Sequence, residues 1–149
     1  MQRRPTAGEV VTILSALAVL VGSFLPFLQV QRLHFTVWSN SFGILPLMPA
    51  LVFATVGIGF VVTMRTFTKA RFPDRVLGLG WEQAQLAVAV IVAVTTICYL
   101  TRDPGPLVRA AGFTNGAGVY VILVAAFGFG LGALMMMRRP HRQTWDPWS

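Results

Sequence analysis

Side chains able to do chemistry are few in this sequence, and their positions keep them apart. The carboxylates are Glu9, Asp74, Glu82, Asp103 and Asp146. All five lie at or beyond the ends of long uncharged apolar stretches. An ionisable group inside such a stretch would mark an ion or proton path. With none there, a proton relay or a charged coupling-ion site has no residue to use. His34 and His141 fall on opposite sides of those stretches and cannot share a metal. A haem held between helices would need a strong ligand within them, and none is available.

Cys98 is the single cysteine, which excludes an internal disulfide and a cysteine-cluster metal site. It lies away from any base, so we expect a small, buried, apolar side chain rather than a nucleophile. Ser15, Ser23, Thr95 and Thr96 lack a His or Lys to activate them. Their hydroxyls can instead bond back to their own helix. The expectation is therefore no catalytic residue, no metal and no cofactor: the chain is not an enzyme.

What must position these residues is a set of apolar helices. Of 149 residues, 55% are hydrophobic and 11% charged, with mean hydropathy +0.68. A typical soluble domain carries about 25% charged residues, so an ordinary soluble fold lacks the polar surface it would need. Four uncharged stretches run over about 10–30, 43–64, 84–101 and 117–137. Each is long enough to cross a hydrocarbon layer roughly 30 Å thick. Only helices satisfy their own backbone segment by segment in lipid, so all four read as helices. The fold class expected is all-α, an integral membrane four-helix bundle, with one domain over 1–149. The first stretch is read as a retained helix rather than a signal peptide. It is too long, and Pro26 and Phe27 stand where cleavage would fall.

The formal charge is +7. In a soluble protein that balance would suggest nucleic acid, but here the cations flank apolar runs, so nucleic acid is not expected as a partner. Arg3, Arg4, Arg65, Lys69, Arg71, Arg75, Arg138, Arg139 and Arg142 lie on one side of the spans. Arg32, Arg102 and Arg109 lie on the other. The positive-inside rule then puts both termini in the cytoplasm. All but one of these cations are Arg, a bias typical of high-GC bacteria, and the expected location is the bacterial cytoplasmic membrane.

Helix punctuation fits. Ser39, Asn40 and Ser41 offer caps before the second span. Pro46 suits its first turn, and Pro49 is expected to bend it. Gly80 is expected to permit a tight approach before the third span. Small residues offer packing faces: Ser15, Ala18 and Gly22; Ala54, Gly57 and Val61; Ala89, Ala93 and Thr96; and Gly118, Val121, Ala125, Gly128 and Gly132. The Gly128/Gly132 pair is read first as contact with the chain's own helices and second as a docking face for another subunit.

Three segments face the aqueous boundary. The middle loop alternates Arg65, Lys69, Arg71 and Arg75 with Phe67 and Phe72, a pattern for anionic lipid headgroups. Trp81, with Glu82 and Gln83, suits the interface at the start of the third span. A cytoplasmic tail over 138–149 carries Trp145 and Trp148, which suit either a protein partner or a lipid surface.

Phe24-Leu25-Pro26-Phe27, Trp38-Ser39 and Gly80-Trp81-Glu82-Gln83 together resemble small uncharacterised four-span membrane proteins of actinobacterial type, although Phe27 stands where those carry Trp. The resemblance covers most of the chain and implies the topology; the group has no established activity to carry over. The function expected is a non-catalytic accessory or scaffolding subunit of a larger membrane complex, for example a respiratory or secretion assembly. The alternative is a homo-oligomeric channel or small-solute transport protein, using the Pro46/Pro49 bend and the glycine-rich fourth span. The partners expected are membrane lipids and other membrane protein subunits.

Overall fold

The computed structural model describes residues 5–39, 47–68, 75–76, 78–102 and 112–138. Four helices run alternately up and down: α1 (Ala7–Phe24), α2 (Leu47–Phe67), α3 (Trp81–Thr101) and α4 (Ala117–Met137). They have 18 to 21 residues and are all long and apolar enough to span a membrane.

Helix α1 starts three residues before the expected boundary because Thr6 and Glu9 form a capping box. Glu9 N–H donates to Thr6 Oγ1 at 3.4 Å, and Thr6 N–H donates to Glu9 Oε2 at 2.8 Å. Two of the helix's unpaired N-terminal donors are thereby satisfied. It also stops six residues before the expected Val30. Pro26 forces Leu25 into extended backbone (φ −73°, ψ 157°). The remaining apolar run turns into a strand.

Among the described residues α2 runs over Leu47–Phe67, with Pro49 near its start. Pro46, Asn40 and Ser41 lie outside the described residues. Ser39, expected as a cap, closes a turn with Thr36: its N–H donates to Thr36 O at 3.0 Å. Helix α3 starts at Trp81, three residues earlier than expected, where Gly80 N–H donates to Gln83 Oε1 at 3.1 Å. A Cβ at Gly80 would meet nothing nearer than 3.5 Å, so no tight approach depends on it. Helix α4 covers the expected residues.

An element absent from the all-α expectation is a three-stranded antiparallel sheet of β1 (Leu28–Val30), β2 (Leu33–Phe35) and a later strand, Phe113–Asn115, in the order β2–β1–Phe113–Asn115. Between the first two helical hairpins a two-residue ladder pairs β3 (Arg75–Val76) with β4 (Leu79–Gly80). The strand Phe113–Asn115 is therefore β5. Phe27 N–H donates to Phe35 O at 2.7 Å, Gly116 N–H to Phe27 O at 3.0 Å and Gly118 N–H to Pro26 O at 2.9 Å. These bonds tie the end of α1 to the start of α4. A Cβ at Gly116 would run into the Pro26 carbonyl, so this crossing requires glycine.

Around the bundle α1 lies between α2 and α4, and α3 packs mainly on α4. The α1–α4 interface is the most extensive and the α2–α3 edge the thinnest. Phe27, Phe129, Val119, Ile122 and Val19 are fully buried, with Met48 beside them. Large side chains thus fill the space between the helices.

Candidate functional site

The most buried large polar side chain is one that the sequence reading passed over. Gln85, in the second turn of α3, is 1% exposed. Its Nε2 donates to Thr12 Oγ1 of α1 and to the Phe129 carbonyl of α4, both at 2.8 Å. Thr12 Oγ1 in turn donates to Gly8 O at 2.9 Å. One amide thereby joins three helices. The glycines of α4 make the reach possible. A Cβ at Gly132 would strike Thr12 Oγ1, and one at Gly130 would press on Ala89 at 3.3 Å. The Phe129 carbonyl has a second lone pair and can take the Gln85 donor alongside its helical partner.

Four other buried hydroxyls are committed within the chain. Thr55 donates to Leu51 O at 2.8 Å, Thr95 to Ile91 O at 2.7 Å and Thr96 to Val92 O at 2.7 Å. Ser23 donates to Leu20 O at 2.6 Å and accepts from Trp38 Nε1 at 3.1 Å. This interior is made of neutral amides, hydroxyls and carbonyls. It holds helices together; among the described residues no base lies beside these hydroxyls. Among the described residues, no three His, Cys, Asp or Glu side chains group closely enough to hold a metal.

At the sheet end, aromatic rings form a collar. Trp38 lies 5.9 Å from Phe24 and 5.3 Å from Phe53, Phe27 meets Tyr99 edge-on at 5.2 Å, and the Arg102 guanidinium sits 5.4 Å from the Tyr99 ring centre. Asn115 Oδ1 is buried there without a hydrogen-bond partner.

The small-residue faces fall as follows. Gly118, Ala125 and Gly132 are buried and Gly128 half-buried. A Cβ on Gly118 would press on Gly22 O at 2.8 Å, and one on Gly128 would reach Ser15 Oγ. Both glycines of the Gly128/Gly132 pair therefore lie against α1 of the same chain. Ser15 and Gly22 are buried with Ala18 half-buried, and Ala89, Ala93 and Thr96 are buried. The second face differs from expectation. Gly57 is exposed, and a Cβ there would meet nothing within 4 Å, while Ala54 and Val61 are half-buried. The inward face of α2 instead carries Met48, Leu51, Val52, Thr55, Gly59 and Val62, and a Cβ on Gly59 would strike Ala16. Two residues along a helix are about 200° apart, so Gly57 and Gly59 point to opposite sides.

Cys98 is exposed, which corrects the expectation of a buried side chain. It continues the outward face of Val94, one turn below, and α3 buries Thr95, Thr96 and Tyr99 instead. Arg65 is exposed in the last turn of α2, Trp81 half-buried at the start of α3, and Arg75 lies in β3 opposite Gly80. His34 is exposed on β2. Lys69, Arg71, His141, Trp145 and Trp148 lie outside the described residues. Compared with known protein families, curated proteins and solved structures, the chain matches none of them.

Each helix turns large apolar side chains outward. Examples are Leu17 on α1, Phe53 and Phe60 on α2, Val94 on α3, and Tyr120, Val124 and Phe127 on α4, all more than half exposed. Water would not tolerate so continuous an apolar exterior on a monomer.

Proposed function

We propose that this chain is a multi-pass protein of the bacterial cytoplasmic membrane, with both termini in the cytoplasm. In this reading it acts as a non-catalytic accessory or scaffolding subunit of a larger membrane complex, for example a respiratory or secretion assembly. One observation carries the reading. Six of the buried polar side chains, Gln85, Thr12, Thr55, Thr95, Thr96 and Ser23, are occupied by hydrogen bonds within the chain. What remains for recognition is the exterior, which is apolar along the helices and basic at the end bearing the termini. Helices in lipid associate through shape, small residues and local polar contacts, all of which a lateral partner can use. Arg65 and the cations that follow it would hold that end against anionic headgroups.

The conduit alternative rests on the Pro46/Pro49 bend and on the glycine-rich fourth span. Gly118, Gly128 and Gly132 lie against the chain's own backbone and side chains, so the glycines do not favour it. Purification of the tagged full chain from its native membrane in a mild detergent tests the proposal. Membrane proteins that co-purify in fixed ratio support it. A chain that elutes alone or only with itself contradicts it, and solute flux above empty vesicles after reconstitution would favour the conduit.

A further inference from the structure

We draw no further inference here: the strongest candidate, the outward face of α2 where Gly57 leaves an open notch between the exposed Phe53 and Phe60, is an unpartnered apolar face, and nothing in the structure shows what covers it.

Discussion

Gln85 shows how much one side chain can set inside an apolar bundle. Its amide is almost wholly buried, so its donors have to find partners in the protein, and it finds them on two other helices. Interhelical hydrogen bonds in membrane proteins contribute about 0.6–2 kcal/mol. Gln85→Leu and Thr12→Val should therefore each lower stability by about 1 kcal/mol in a detergent unfolding titration. Because both remove the same bond, the double variant should lose less than the two losses added together. Strict additivity would mean that the two groups do not interact. The sequence offered little warning of this node. A lone glutamine one turn into an apolar run can equally sit at the headgroup boundary, and periodicity alone does not choose. Cys98 failed to be legible for the related reason that both sides of α3 are apolar. The Thr6-x-x-Glu9 cap, by contrast, was written plainly in the residues, and recognising it would have placed the start of α1.

At the scale of the helix, glycine position decides which pairs pack closely. Gly132 is filled by Thr12 and Gly59 by Ala16, whereas Gly57 faces open space. Gly132→Ala must push α1 and α4 apart or displace Thr12, an overpacking cost of about 1–3 kcal/mol. Gly57→Ala meets nothing and gains helix propensity, worth up to about 1 kcal/mol. Melting temperatures of the two variants in the same detergent should move in opposite directions; equal losses would overturn the assignment of faces on α2. At the sheet end, Gly116→Ala would drive a methyl into the Pro26 carbonyl. The expected result is faster amide exchange in β1 and β5 with protection retained in the middle of α3. The span lengths were legible because a bilayer demands long apolar runs whatever the family. The strand Leu28–Val30 was not, because its residues continue the uncharged run of α1. Only Pro26, read for its effect on the residue before it, signals the change.

On the scale of the whole molecule, the four apolar helices and their alternating directions follow from composition and loop spacing. The orientation rests on the distribution of Lys and Arg. Reporter fusions should show activity characteristic of the cytoplasm at both ends of the chain and in the loop after α2. Fusions between β1 and β2 and after α3 should report the opposite side; any exchange of the two patterns would refute the orientation. A bundle whose Gln85 amide and most buried hydroxyls are hydrogen-bonded within the chain is proposed to work through its outer surface. Site-directed photo-cross-linking in the intact native membrane tests it most directly, with the reactive side chain placed in turn at Leu17, Phe53, Phe60, Val94, Tyr120 and Phe127, one position per variant. Neighbouring positions on at least one face should capture the same distinct membrane protein. Adducts to lipid alone, or to further copies of this chain alone, at all of these positions would contradict it.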